Sequence, residues 1–483
     1  MRDLITHVGT DYAAFAITGV LALIVTLVYL WWNERSAGKL SCPGLTSEDE
    51  ELGNLGSLTK DGGLHQFLND NHKKFGPIFS FYWGKELAVS LGSPALWKDI
   101  QTLFDRPVHQ FELFKPLIGE SSIQYLNGPL GRKHRQIHDR HFSFSAIKSY
   151  FHVFNEASEE LMKKLSTLNT DEHIQLRQYL FVVAMKSLVR TSFGNEYFKS
   201  NKECIELSTA YDTCWEDMES RLDGDMPEPG SERQKAFDDA LTVIKDKAMK
   251  VIEQRRTLKE KTTYNLLDVM LEKEELYPHD EQLVDMVITY LIGGFHTTGN
   301  LLTWTFYFLC RHPEVEEKLL AELKEVLGDE TISMSHMDKL TYTRQIIDET
   351  LRCSVLAPYA ARYSEYDIVV GGHIIPKLTP LIISLGTVLE DENIWPEPKK
   401  FDPDRFSPEK LKERPNMAFE PFGFAGKRKC PGYRFAYFDT TVFLVDIIRK
   451  FKVKLVEGQN ITMQHRLVTQ PKEAVWFKME PRN

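Results

Sequence analysis

Phe422-Gly423-Phe424-Ala425-Gly426-Lys427-Arg428-Lys429-Cys430-Pro431-Gly432 sets one thiol in a glycine-rich loop, with cations on both sides, just before a helical run from Tyr433 to Ile448. Glycines let backbone N–H groups turn toward sulfur. A helix N-terminus and nearby cations favour thiolate over thiol, and the thiolate is the form that binds metals. Most lone cysteines are small hydrophobes buried in a turn, so the loop by itself leaves a metal ligand and a structural thiol equally open.

Working outward from this loop, Glu349 and Arg352 lie three apart on a predicted helix and so share a face. Arg405, within Phe401-Asp402-Pro403-Asp404-Arg405-Phe406, can complete a charge network that locks the coil leading to Cys430. Upstream, Asp280 to Cys310 is the longest helix candidate, about 45 Å if continuous, closed by His312-Pro313. From about Phe142 to Leu340 the pattern is mostly helical, with Leu176, Leu180, Val183 and Ser187 as one stripe. Asp223 to Ser231, rich in proline and glycine, reads as a loop able to act as a mobile lid. Ile78–Trp83 and Glu86–Leu91 flank Gly84-Lys85 and predict a hairpin. After Pro358 come short strands, Ile368–Val370 and Leu381–Ser384 among them, then proline-rich coil from Trp395 to Pro421.

The chain has 483 residues and a formal net charge of −10. Length alone suggests roughly three domains, but no linker, repeat or low-complexity tract divides it. One large domain, residues 56–483, is expected, joined by a hinge at 34–55 to an N-terminal segment, 1–33. The negative charge argues against a nucleic-acid partner. Six dispersed cysteines without a CxxC pair point to a reducing compartment. Tyr12 to Trp32 is uncharged, long enough to span a bilayer, and ends in Tyr29, Trp31 and Trp32, rings that prefer the interface. A cleaved signal peptide has a shorter apolar core and a small-residue site, so an uncleaved anchor is the expectation. Arg35 and Lys39 then place the remaining chain in the cytosol.

Glu349-x-x-Arg352, Arg405 and Gly426-x-Arg428-x-Cys430-x-Gly432, in this order and separation, resemble the signatures of the cytochrome P-450 superfamily. Phe75-Gly76-Pro77, Ser90-Leu91-Gly92, Ala184-Met185-Lys186-Ser187 and Arg434-Phe435-Ala436-Tyr437 resemble its orphan animal branch numbered twenty. The resemblance implies a mainly α fold with small β-sheets around a haem, and an N-terminal transmembrane helix. It makes Cys430 the iron ligand, and a thiolate ligand favours O–O cleavage. It also implies propionate clamps at Arg428, Arg362 and Arg135, loop glycines at Gly426 and Gly432, and an oxygen-activating segment Gly293-Gly294-Phe295-His296-Thr297-Thr298. There Thr297 would relay protons, assisted by His296, which stands where the family most often has an acid. Two positions depart from the pattern: Gly131 replaces a tryptophan, and Gly423 a phenylalanine.

The implied reaction inserts one atom of O2 into a lipophilic small molecule. Electrons would come from an NADPH-dependent flavoprotein reductase, docked on a basic patch of Lys427, Lys429, Arg434, Arg132 and Lys133. Membrane lipid is a further implied partner, and the endoplasmic reticulum, with the catalytic domain facing the cytosol, the implied location. A haem-thiolate isomerase or dehydratase that needs no O2, and a non-enzymatic haem-binding sensor, are the alternatives.

Overall fold

The structure, a computed structural model, describes Thr26 and residues 41–58, 63–222, 225–259, 263–424 and 426–482. Apart from Thr26, the stretch Tyr12–Trp32 lies outside the described residues. Among those described, no helix is long and apolar enough to cross a membrane.

A helical body carries a small sheet at one side. Its principal helices are α1 (Gly63–Phe75), α2 (Gly128–His141), α3 (Phe151–Leu165), α4 (Leu176–Ser192), α5 (Asn201–Leu222), α6 (Glu232–Thr257), α7 (Asp280–Arg311), α8 (Pro313–Leu327), α9 (Thr341–Cys353) and α10 (Tyr433–Lys450). The strands β1 (Ile78–Trp83) and β2 (Glu86–Leu91) pair antiparallel, Trp83 opposite Glu86, so the Gly84-Lys85 turn sits where the sequence put it. With β3 (Ala360–Arg362) and β6 (Leu381–Ile383) they form one sheet in the order β1-β2-β6-β3. β4 (Ile368–Val370) pairs with β5 (His373–Ile375), β7 (Phe451–Leu455) with β10 (Phe477–Pro481), and β8 (Met463–Gln464) with β9 (Gln470–Pro471), each as a separate antiparallel two-stranded sheet.

The axis of the body is α7, 32 residues and about 48 Å long. Asp280 and Glu281 answer its N-terminal dipole. It stops at His312 because Pro313 cannot continue it and instead opens α8. Most of its faces are covered, and α4 crosses it closely where glycines allow. A β-carbon on Gly294 would come within 2.4 Å of Leu188, and one on Gly299 within 2.1 Å of Phe181. The stripe Leu176, Leu180, Val183 and Ser187 is buried, but so are most other positions of α4, which is an interior helix rather than an amphipathic one.

Within the hinge expected at 34–55, residues 42–54 are packed: Cys42 is buried, Ser80 N donates to Pro43 O at 2.9 Å and Asn54 N to Tyr82 O at 2.8 Å. This stretch lines the outer edge of β1, where the strand's unpaired backbone groups need partners. The segment from Trp395 to Pro421 is not all coil, since a 3-10 turn at Pro403–Phe406 and a helix at Pro408–Glu413 interrupt it. In both, the proline signalled a helix start rather than a break, with Asp402 and Ser407 capping the following amides.

Candidate functional site

The cysteine loop packs against α2 and the 101–127 region. Gly426 adopts φ +90°, and a β-carbon there would approach Gln101 O to 2.6 Å, so only glycine fits. Gly432 is the N-cap of α10. Cys430 N donates to Phe422 O at 2.9 Å, and the residue is half-buried. Burial pushes its thiol up, opposed by a hydrogen bond from the Gly432 amide and by the charges of Arg135 and Arg106. The lysines expected to favour thiolate are not the groups that act, for Lys429 is turned to Glu420 at 3.4 Å. Burial outweighs these charges, so metal ligation displaces the proton.

Gly423, in place of an aromatic residue, has φ +80°, and a β-carbon there would meet nothing within 4 Å. Its flanking rings part: Phe422 packs on Tyr437 at 4.9 Å, and Phe424 is buried against Trp97 at 6.1 Å. The turn thus leaves open space beside the loop where a phenylalanine would have filled it.

Four arginines crowd the neighbourhood. Burial and the Arg135 charge pull Arg106 down to about 10; burial, then Arg106 and Arg135, pull Arg362 down to about 9. Arg428 falls to about 8 through burial, Arg106, Arg135 and Arg362. Arg362 Nε is buried with no hydrogen-bond partner among the described residues. Arg135 grips Asp139 through Nε at 2.7 Å and donates to Lys429 O at 2.7 Å. The Arg428 guanidinium, expected to clamp a propionate, is largely occupied: Nε donates to Phe104 O at 3.0 Å, Nη1 to Ile123 O, and Nη2 to Leu126 O and to Asn127 Oδ1. Gly131 makes this possible, since a β-carbon would sit 2.3 Å from Leu126 O. The missing tryptophan has been exchanged for a backbone turn that Arg428 holds.

Glu349, Arg352 and Arg405 come together. Glu349 is fully buried and bidentate with Arg352, at 2.7 and 2.8 Å. Its Oε1 accepts from Asp402 N at 2.8 Å and lies 3.3 Å from Arg405 Nε. Arg352 also donates to Pro398 O at 2.8 Å and Lys400 O at 3.2 Å, and Arg405 to Glu397 O at 2.9 Å. The network therefore ties α9 to the coil that precedes the cysteine loop.

On α7, Gly293 is exposed although the helix is mid-body, and a β-carbon on it meets nothing within 4 Å. Thr297, one turn on and partly exposed, donates through Oγ1 to Gly293 O at 2.7 Å. Together they form an open strip. His296 lies about 100° round the helix from Thr297 and faces elsewhere. It is 1% exposed among Phe181, Tyr211 and Trp215, with ring centroids 5.7, 5.0 and 5.4 Å away. Burial, helped by the Arg177 charge and weakly opposed by Gln470, lowers its pKa to about 3, so it is neutral near pH 7.

Sequence reading missed Arg106, which no spacing marks out. It also missed a buried chain in which Tyr277 Oη bridges His134 Nδ1 at 3.1 Å and His138 Nε2 at 2.6 Å, and His138 Nδ1 meets Tyr290 Oη at 2.6 Å. This chain bolts α2, and with it Arg135, to α7. His134 and His138 at i, i+4 were the available signal.

Cations that outnumber their anions, an orphaned guanidinium nitrogen, a half-buried thiol and a bare strip on α7 are what a dianionic, thiolate-ligated haem requires, and the residues present fit it. A family model described as Cytochrome P450 matches residues 43–477. Cytochrome P450 20A1 of Bos taurus is 31% identical over 477 residues, 98% of this chain and 99% of its own. Its Homo sapiens counterpart is 30% identical over the same shares. Cytochrome P450 4F12 of Homo sapiens is 28% identical over 76% of this chain and 75% of its own.

Proposed function

Because this chain belongs to the cytochrome P450 family of haem-thiolate monooxygenases, we propose that Cys430 is its iron ligand and that it oxygenates a lipophilic small molecule with electrons from a separate flavoprotein reductase. The observation that carries the assignment is the half-buried Cys430 in a neighbourhood of four arginines, of which only Arg135 has an ion-pair partner among the described residues. Bound there, the haem supplies reductive activation of O2, one atom going to the substrate and the other leaving as water.

The protein's own parts divide the work. Arg362 and Arg106 hold the propionates, with Arg135 beside them; Arg428 anchors the turn beneath. Thr297 Oγ1, whose proton rests on Gly293 O, is the relay hydroxyl at the open strip. His296, neutral and enclosed, is a positioning residue rather than a proton carrier. Lys427, Lys429, Arg434, Arg132 and Lys133 form the reductase face. Residues 12–32 anchor the chain in the endoplasmic reticulum membrane, with the catalytic domain in the cytosol. The isomerase reading drew on His296 as a replacement acid, and a residue turned away from the strip gives it little support; NADPH-dependent turnover separates the two.

The assignment is tested with Cys430→Ala. The variant should lose the strongly red-shifted Soret band of the reduced carbon-monoxide complex, and an unchanged band would sink it.

A further inference from the structure

Tyr211 Oη, Trp215 Nε1 and His296 Nδ1 are all buried with no hydrogen-bond partner among the described residues. Their rings form one cluster, Tyr211 to Trp215 at 5.4 Å, Tyr211 to His296 at 5.0 Å and Trp215 to His296 at 5.4 Å. Buried polar groups are nearly always paired, so three orphans in one cluster call for a ligand.

The surroundings fix what that ligand must offer. Arg177 Nε donates to Asn300 Oδ1 at 3.2 Å, which orients the amide so that its nitrogen faces His296. Asn300 Nδ2 donates to His296 Nε2 at 3.3 Å and to His296 O at 3.0 Å. Nε2 is therefore the acceptor nitrogen. With the imidazole neutral, the proton resides on Nδ1. Trp215 Nε1 can only donate, and Tyr211 Oη is free to donate. Three donors share one cluster; among the described residues Tyr211 Oη and Trp215 Nε1 have no acceptor, and His296 has Gln470 beside it.

The missing partner is a hydrogen-bond acceptor. It carries no charge, because the nearest cation, Arg177, is already answered by Asp212 at 3.8 Å, by Asn300 and by Gln470 at 3.4 Å, and an unpaired buried anion is costly. The cluster sits one residue along α7 from Thr297 and touches Phe114 through Trp215 at 5.4 Å and Phe295 through Tyr211 at 5.2 Å. An apolar molecule with one polar oxygen matches these walls. On the outer side, Arg177 and Gln470 line a half-open polar cleft of about 420 Å³ through which water can replace that oxygen.

We propose that Tyr211, Trp215 and His296 form a carbonyl-recognition site that selects, among lipophilic substrates, those bearing an uncharged carbonyl oxygen. This rests on the lipophilic-substrate reading above. Calorimetric titration of the full-length, haem-loaded protein with dodecane, 2-dodecanone and dodecanoate tests it. The ketone should bind at least about tenfold more tightly than the alkane, since two or three released donors at about 1 kcal/mol each exceed one decade. His296→Phe and Trp215→Phe, which keep a ring and remove a donor, should each erase most of that preference while leaving dodecane affinity within about twofold. Equal wild-type binding of ketone and alkane overturns the proposal, leaving a water-only site, while the lipophilic reading stands. Tighter binding of dodecanoate than of the ketone overturns the uncharged class. Failure of all three to bind overturns both readings. The wild-type comparison decides the matter even where a variant does not fold.

Discussion

Replacing Glu349 by alanine removes a carboxylate that three N–H groups donate to and that a second guanidinium faces. Arg352 binds it twice, the Asp402 amide once, and Arg405 Nε lies 3.3 Å away. Arg352 is 1% exposed and cannot turn to water. Breaking a buried pair from one side costs about 3–5 kcal/mol, because the surviving charge stays buried. That is about a fifth or more of a typical stability of 5–15 kcal/mol. With a urea slope near 3 kcal/mol/M, the midpoint should fall by roughly 1 M at unchanged slope. The loss should extend to haem content, since Asp402 and Arg405 lie on the coil that leads to Cys430. Arg405→Ala should cost less, roughly 1–3 kcal/mol, because the Glu349–Arg352 pair survives it. Urea unfolding followed by circular dichroism, with haem content measured by absorbance, reads both. A Glu349→Ala protein with wild-type midpoint and full haem would refute the reasoning.

The two faces of α7 should respond oppositely to one methyl group. Gly293→Ala enters open space and should raise stability by up to about 1 kcal/mol through helix propensity, whereas Gly299→Ala strikes Phe181 and should lower it by roughly 1–3 kcal/mol; equal urea midpoints would count against the packing described. Stability should climb with pH between about 4 and 6.5. In the folded state burial holds His72, His134, His141 and His465 at about 4 and His296 at about 3, below their unfolded value, so the unfolded chain binds more protons throughout that window. His296→Phe should shrink the slope near pH 5 by about one proton, or about 1.4 kcal/mol per pH unit, and an unchanged slope would show His296 protonated in the folded state. Gly131→Ala pushes a β-carbon onto Leu126 O, so it should loosen the turn held by Arg428 and reduce haem retention; a variant that holds haem better than wild type would contradict that account.

Much of the frame could be read from residues alone. Uninterrupted apolar periodicity from Asp280, closed by His312-Pro313, marked the long helix because side-chain spacing and a proline stop are local properties of the chain. Gly84-Lys85 between β-prone runs fixed the first hairpin for the same reason. Glu349 and Arg352 could be paired from sequence, three apart on one helix. The prolines at 403 and 408 misled, because proline ends one helix and starts another with the same ring.

What only the tertiary structure decided are the relations between distant segments. Cys430 and its neighbouring lysines suggested a thiolate ready-made by local charge, but burial raises the thiol, and the cations that oppose it, Arg135 and Arg106, come from far upstream. Gly131 looked like a lost tryptophan and is where a backbone turn meets Arg428. His296 stood beside Thr297 in sequence and proved to face another helix, since 100° of rotation separates adjacent positions on α7. The order of residues determined the helices, the hairpin and the cysteine loop. Long-range packing determined which charges are buried together, because burial and Coulomb interaction depend on distances that sequence separation does not encode.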